Sequence, residues 1–214
     1  LFYIIKTMNY THSIVILPGF TMDAEDMEYY KNKLTQTFPD YKIKYRTITP
    51  PLRKVTIYKN KKYNAWYDYL TPHCDKEPEI NEEQLVKSRN RIHKVLDNEI
   101  KLMNDKHKVY LFGYSQGCCM ALDAGLTYST SIGGIIGLKG HVISKTLEDF
   151  KTNQSLLIFH GRSDKTIFYE FSKKLYVQLK KMNPKIKFIA QKNVNHSLRS
   201  GIINQMKSIK EFIH

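Results

Sequence analysis

Apolar and polar positions alternate along the chain with two different periods. Short apolar or alternating runs predict β-strands, at 13–19, 41–48, 108–113, 133–138, 155–161 and 185–190. Longer stretches with apolar residues three or four positions apart predict helices, at 24–38, 84–103, 168–182 and 198–213, with a further helix directly after Ser115. Strands that alternate with helices are typical of βα units that feed a mostly parallel sheet. The pattern therefore predicts the α/β class, with a mostly parallel central sheet and helices on both of its faces.

One long segment, residues 50–82, interrupts this alternation. It contains four prolines, many charged residues and the aromatic cluster YNAWYDYL. Loops of this length in compact domains are usually functional or mobile, so we expect an irregular excursion that is able to roof a site. Because no internal repeat and no linker is found, we expect a single domain over residues 13–214. Residues 1–12 are expected to form an N-terminal extension.

Cysteine content and hydropathy bear on the compartment in which the protein works. The three cysteines, Cys74, Cys118 and Cys119, cannot form a disulfide framework, which favours a reducing compartment. No apolar run reaches the roughly 20 residues needed to span a bilayer, and the opening LFYIIKTMNY lacks the features of a secretion signal. We therefore expect a cytoplasmic protein.

The formal net charge of +14 at pH 7 raises the question of an anionic partner. The basic residues are spread over the whole chain, and no zinc-ligand spacing, P-loop or GxGxxG motif accompanies them. Local concentrations such as KNKK at 59–62 are typical of solvated faces. We therefore expect no specific nucleic-acid partner, whereas weak contact with an acidic membrane surface stays open.

Ser115 is the candidate nucleophile. It lies in GYSQG (113–117), between the predicted strand VYLF and the helix-forming run CCMALDAGL. Glycines on both sides leave room for a sharp turn between strand and helix, and the N–H of Gln116 then points at the reacting oxygen. A GxSxG match alone is weak, and a serine in an ordinary β-turn is the alternative. The flanking strand and helix favour the nucleophile.

The partners of Ser115 follow by elimination. In hydrolases with this turn, the acid and then the histidine come after the serine. His196 is the expected base, because the other histidine that follows a suitable acid, His214, is the terminal residue. Asp164 directly follows the predicted strand LLIFHG, at the carboxyl edge where open α/β sheets build their sites. The expected triad is Ser115, His196 and Asp164, in which Asp164 orients the imidazole.

An oxyanion that forms during attack needs N–H donors. The backbone N–H of Gln116 is the first expected donor. The loop LPGFT after the first strand offers the N–H of Phe20, beside Gly19, as the second. A plain Pro-Gly turn is the alternative for that loop.

With these residues in place, the chain resembles the phospholipase/carboxylesterase branch of the α/β-hydrolases, which includes the acyl-protein thioesterases. The resemblance covers residues 13–213 and rests on GYSQG, LPGFTMD, AWYD, FHGRSD and VNH, which are similar to the branch's GFSQG, LHGxGD, SWFD, HGxxD and histidine loop. Three positions depart from the family pattern. Pro18 replaces a histidine, Thr21 replaces a glycine, and Cys118 stands where glycine usually follows the serine motif.

The resemblance implies an α/β-hydrolase fold without a separate cap domain and without a metal or cofactor. It places Trp66 near an acyl pocket, with Tyr67 and Tyr114 as neighbours, although a core or lid anchor is the alternative for Trp66. We expect a monomer or a weak homodimer, and a small-molecule ester or an acylated protein as its substrate.

Together these residues predict a serine hydrolase that cleaves carboxylic esters through an acyl-enzyme intermediate. Two alternatives use the same chemistry: an acyl-protein thioesterase that removes palmitoyl chains, and a lysophospholipase. The alternative from another class is a hydrolase-fold binding protein without activity. Its usual mark is a lost triad member, and all three expected members are present here.

Overall fold

A sheet of six parallel strands forms the centre of the described chain. The structure is a computed structural model that describes residues 10–72 and 74–214. Its strands are β1 (His12–Leu17), β2 (Ile43–Thr47), β3 (Leu52–Val55), β4 (Lys61–Asn64), β5 (Val109–Tyr114), β6 (Gly134–Leu138), β7 (Leu156–Gly161) and β8 (Ile186–Gln191). The sheet has the strand order β2-β1-β5-β6-β7-β8, whereas β3 and β4 form a separate antiparallel hairpin.

Helices cover both faces of this sheet. They are α1 (Glu28–Thr37), α2 (Glu82–Met103), α3 (Gln116–Leu126), α4 (Ser144–Glu148), α5 (Tyr169–Met182) and α6 (Ile202–Phe212). Helices α2, α3 and α5 share one hydrophobic core through residues such as Leu85, Ala121 and Leu179. Helices α1 and α6 share the core on the other side, through Tyr30 and Met206. The predicted α/β class, with a mostly parallel sheet between two helical layers, is confirmed.

The prediction of an irregular excursion over residues 50–82 is wrong for its first half, which forms the β3–β4 hairpin. The chain reverses at Lys59 and Asn60, whose φ angles of 56° and 57° lie in the left-handed region that asparagine tolerates. The carboxylate of Asp68 accepts hydrogen bonds from the N–H and from the hydroxyl of Thr56, both at 2.7 Å. A tertiary contact of this kind leaves no local sequence pattern, so the hairpin was not visible in the sequence.

One helix was missed, and the start of another lies four residues later than predicted. The short helix α4 was not predicted. Helix α6 begins at Ile202 and not at residue 198, because Gly201 adopts a φ of 85° that ends the preceding loop. Residues 192–201 therefore form an irregular loop, called the histidine loop below because it carries His196.

The N-terminal part of the prediction falls largely outside the described residues. Strand β1 begins at His12, and residues 1–9 of the expected extension lie outside the part that the structure describes. The division into an extension and a single domain stays a prediction. Over residues 10–72 and 74–214, no helix combines the length and the apolar character that crossing a membrane requires.

Candidate active site

Ser115 lies on a sharp turn between β5 and α3. Its φ of 54° and ψ of −121° are uncommon for a residue that carries a side chain. The Ser115 N–H donates to the carbonyl of Leu138 at the end of β6, at 2.9 Å. Its own carbonyl accepts from the N–H groups of Cys118 and Cys119, at 2.9 and 3.1 Å. The neighbouring strand and the first turn of α3 therefore hold the strained backbone of the serine at the carboxyl edge of the sheet.

Two glycines allow this turn to be so tight. A Cβ atom on Gly113 would overlap the carbonyl of Gly117, and a Cβ atom on Gly117 would overlap the carbonyls of Leu17 and Pro18. The end of β5 and the end of β1 therefore approach the first turn of α3 more closely than a side chain at residue 113 or 117 permits.

Gly117→Ala is expected to destabilise the fold by about 1–3 kcal/mol or more, because the new methyl group meets backbone that has to shift. Urea denaturation of parent and variant measures the difference. Gly19→Ala is the matched control, since the three atoms nearest to its Cβ would be side-chain atoms, of Tyr114, Met22 and Ser115, at 3.1 to 3.3 Å. A loss of stability no larger for Gly117→Ala than for Gly19→Ala would contradict the expected clash.

The side chains of Ser115, His196 and Asp164 converge at this edge. Ser115 Oγ lies 2.9 Å from His196 Nε2, and His196 Nδ1 lies 2.7 Å from Asp164 Oδ2. A carboxylate only accepts, so the proton of the imidazole lies on Nδ1 and the lone pair of Nε2 faces the serine hydroxyl. The structure therefore brings together the three residues that the sequence singled out.

Asp164 is buried directly after β7, with 5% of its surface exposed. Its Oδ1 accepts the backbone N–H groups of Thr166 and Ile167, at 2.9 and 3.0 Å. Burial raises the pKa of Asp164, but the hydrogen bond and charge of His196, together with the Ile167 N–H, outweigh burial and hold that pKa below its ordinary value. The group that faces the imidazole is therefore a carboxylate at neutral pH.

The residues predicted as oxyanion donors lie on the two segments next to Ser115. Gln116 is the first residue of α3, so its N–H has no acceptor within the helix. Phe20 follows Gly19 in the loop after β1. That loop packs on the serine, since a Cβ atom built on Gly19 would lie 3.3 Å from the Ser115 Cβ.

The β3–β4 hairpin and the residues after it brace the loop after β1. The indole N–H of Trp66 donates to the carbonyl of Pro18 at 2.8 Å. The N–H of Thr21 donates to the carbonyl of Asn64, at the end of β4, at 2.9 Å. Thr21 adopts a φ of 68°, so the loop keeps a conformation that favours glycine although the side chain here is larger.

Trp66 and Tyr67, which were predicted near an acyl pocket, are buried in the structure, at 0% and 1% exposure. The side-chain oxygen of Gln116 accepts the backbone N–H of Trp66 at 2.9 Å, and the side-chain N–H of Gln116 donates to the Tyr67 carbonyl at 3.0 Å. In the structure both residues are anchors, which is the alternative left open for Trp66. Tyr114 donates its hydroxyl proton to the carbonyl of His196 at 2.6 Å. Substrate contact by these three residues stays a prediction.

The sequence does not reveal the tertiary contacts of two groups near the site. One is the side chain of Gln116, whose clamp on residues 66 and 67 depends on the tertiary fold. The other is His160, which donates from Nε2 to the Ile167 carbonyl at 2.9 Å and lies 3.5 Å from Asp164 Oδ2. Burial lowers the pKa of His160, so the ring is neutral and supports the loop that carries Asp164.

Two further kinds of chemistry-bearing side chain are metal-ligating groups and thiols. Among the residues that the structure describes, no group of three or more His, Cys, Asp or Glu side chains is arranged to hold a metal ion. Cys118 and Cys119 are buried in the core beneath the serine. Cys118 Sγ lies 4.0 Å from the hydroxyl of Tyr176, and Cys119 Sγ accepts the backbone N–H of His141 at 3.4 Å.

A strained serine between a parallel strand and a helix, with an acid and then a histidine on later loops at the same edge, defines the class of the α/β-hydrolases. The chain belongs to the phospholipase/carboxylesterase family, whose family model matches residues 11–214. The resemblance drawn from the sequence is thereby confirmed. The protein is an enzyme of the carboxylesterase/thioesterase type, as predicted.

Named relatives agree with this family, and a solved structure shares the fold. Acyl-protein thioesterase 1 of Schizosaccharomyces pombe is 30% identical over 132 residues, which are 61% of this chain and 56% of that protein. Lysophospholipase-like protein 1 of Mus musculus is 25% identical over 211 residues, 94% of this chain and 87% of that protein. The crystal structure of Arabidopsis thaliana SOBER1 superimposes with a TM-score of 0.83 at 22% identity and covers 94% of this chain and 97% of that one. This structural likeness supports the fold.

Proposed function

We propose that the protein cleaves carboxylic esters, with Ser115 as nucleophile, His196 as general base and Asp164 as the acid that orients the imidazole. The observation that carries this proposal is the continuous hydrogen-bonded chain from Ser115 Oγ to His196 Nε2, at 2.9 Å, and from His196 Nδ1 to Asp164 Oδ2, at 2.7 Å. This arrangement suits a base that takes the hydroxyl proton on Nε2 while its other nitrogen stays hydrogen-bonded.

In the first half-reaction Ser115 Oγ bonds to the acyl carbon while its proton moves to His196 Nε2. The carbonyl electron pair moves onto the oxygen, which accepts hydrogen bonds from the N–H groups of Gln116 and Phe20. When the carbonyl re-forms, the bond to the alcohol oxygen breaks and the alcohol leaves with the proton from Nε2. In the second half-reaction water attacks the acyl-enzyme in the same way, and the carboxylic acid and free Ser115 are released.

A thioester substrate fits the same residues, with a thiol as the leaving group. The names of several relatives, among them the acyl-protein thioesterases of Schizosaccharomyces pombe and Yarrowia lipolytica, favour this second candidate. Weak contact with an acidic membrane surface is in keeping with such a substrate. The β3–β4 hairpin, which lies beside the loop after β1, supports this membrane contact, because residues 52–64 contain five basic residues and no acidic one.

Labelling with a fluorophosphonate probe, followed by peptide mapping, tests the proposal. The probe reacts with a serine only when a base activates it, so we expect a single adduct on Ser115. A profile of kcat/KM over p-nitrophenyl esters of increasing acyl length, with a palmitoyl thioester peptide alongside, then separates the two candidates. Hydrolysis of the short esters supports the carboxylesterase, and a preference of more than about tenfold for the palmitoyl thioester supports the thioesterase.

The control for labelling is the heat-denatured protein, in which the three side chains no longer meet. Absence of an adduct on Ser115 in the folded protein, together with no turnover of any ester or thioester, would contradict the proposal. That result would favour the binding protein without activity.

A further inference from the structure

Lys139 is a buried lysine between the serine and the histidine loop. It directly follows β6, adopts a φ of 55° and has 0% of its surface exposed. Its N–H donates to the carbonyl of Phe159 in β7 at 2.8 Å. The preceding residue, Leu138, accepts the N–H of Ser115. The backbone of Lys139 is thus fixed at the carboxyl edge of the sheet, between the strands that lead to Ser115 and to Asp164.

The ammonium group of Lys139 binds the histidine loop. Nζ donates to the carbonyl of Ser197 and, at 2.9 Å, to the carbonyl of Ser200. A buried ammonium costs several kcal/mol unless its N–H groups find acceptors. The two carbonyls supply acceptors, and the carboxylate of Asp164 supplies the opposite charge at longer range. A side chain that only fills space would not need this arrangement.

The histidine loop depends on such contacts because it contains neither helix nor strand. The hydroxyl of Tyr114 holds the carbonyl of His196 itself, at 2.6 Å. Lys139 holds the carbonyls one and four residues later. Contacts from Tyr114, at the end of β5, and from Lys139, just after β6, therefore hold the loop at His196 and again shortly after it.

We propose that Lys139 is a positioning residue that holds His196 at hydrogen-bonding distance from Ser115 through the carbonyls of Ser197 and Ser200. The proposal rests on the ester-cleaving function proposed above. Lys139 is buried and does not touch the reacting atoms, so it affects the rate by fixing the position of the His196 imidazole. Displacement of a catalytic group by about 1 Å lowers a rate by roughly 100-fold.

The charge state of Lys139 agrees with this role. Burial lowers the pKa of Lys139 to about 8, and the charge of Asp164 opposes that effect. The ammonium form therefore still predominates at neutral pH, where all three of its N–H groups are available to carbonyl acceptors.

The test compares Lys139→Met with the parent enzyme in steady-state ester hydrolysis. Methionine fills a similar volume and removes every N–H donor. We expect kcat to fall by about 10- to 100-fold while KM changes by less than about twofold, because the substrate is not touched. The proton on His196 Nδ1 that Asp164 accepts, a strongly downfield signal in the proton NMR spectrum, is expected to broaden or vanish. Lys192→Met, an exposed lysine on the same loop, is the matched control and is expected to retain the parent kcat, KM and NMR signal.

Two results would overturn the inference. The first is a kcat per folded molecule of Lys139→Met that equals that of the parent. The second is a downfield His196 signal that keeps its full intensity in Lys139→Met. If Lys139→Met does not fold, Lys139→Gln decides, since glutamine is polar but reaches about 1.5 Å less far. A loss of kcat of at least about tenfold supports the inference, and parent-level kcat overturns it. A parent enzyme that the fluorophosphonate probe does not label would instead contradict the proposed function itself.

Discussion

Ser115→Ala is expected to lower kcat for p-nitrophenyl ester hydrolysis by about 10⁵- to 10⁶-fold. The substitution removes only the hydroxyl group, whose Oγ lies 2.9 Å from His196 Nε2. Alanine keeps the Cβ atom, so the backbone strain at φ 54° is the same in both proteins and the fold should be retained. The rate of ester hydrolysis checks the loss of kcat, and far-UV circular dichroism on the same samples checks that the fold is retained.

Ser163→Ala is the matched control for this substitution. Ser163 precedes Asp164 in the same loop, its side chain is exposed, and its backbone N–H donates to the carbonyl of Val194 at 3.1 Å in either protein. Its kcat is expected to stay within about twofold of the parent. Ester turnover by Ser115→Ala near the parent rate would mean that another residue attacks the ester.

The parts of the fold that could be predicted are those whose burial leaves a pattern in the chain. Strands β1, β5, β6 and β7 are buried on both faces, so each appears as a continuous apolar run. Half of the residues in the strands of the β3–β4 hairpin are exposed, and the hairpin is rich in lysine. It is held by the turn at residues 59 and 60 and by Asp68, which lies outside both strands, so its sequence resembles that of a loop.

The residues of the candidate site likewise include some that the sequence reveals and some that it does not. Ser115, Asp164 and His196 could be singled out because each follows a predicted strand, and the carboxyl ends of parallel strands meet at one edge. Lys139 could not be singled out from the sequence, because a lysine after an apolar run ordinarily indicates the return of the chain to solvent. Its acceptors lie about 60 residues further along the chain, and only the assembled fold brings them to it. Sequence order identifies the reacting groups, whereas the residues that hold them depend on tertiary contacts.

Asp164→Asn is expected to lower kcat/KM by about 10⁴-fold. Its Oδ1 accepts the N–H groups of Thr166 and Ile167, and asparagine retains these two bonds only with its amide oxygen. The amide nitrogen then takes the place of Oδ2 and donates to His196 Nδ1. The imidazole proton is forced onto Nε2 and points at the hydroxyl of Ser115. Nε2 then has no free lone pair to accept the hydroxyl proton. Steady-state hydrolysis of p-nitrophenyl butyrate measures the loss.

The same substitution should also change how stability depends on pH. The partners of Asp164 outweigh its burial and lower its pKa in the folded protein. A carboxyl of this kind stabilises the fold fully above its ordinary pKa of about 3.9, and this stabilisation is lost as pH falls through the lowered value. The difference in Tm between parent and Asp164→Asn should therefore be largest near neutral pH and shrink below about pH 4.

Glu170→Gln is the matched control for Asp164→Asn, because Glu170 lies at the start of α5 with an exposed side chain whose ion pair, to Lys173, is 3.4 Å long. An exposed pair of this kind contributes little, so its kcat/KM and its Tm should follow the parent at every pH. If Asp164→Asn retained the parent kcat/KM, the proton on His196 would not depend on residue 164. Some other acceptor would then have to orient the imidazole.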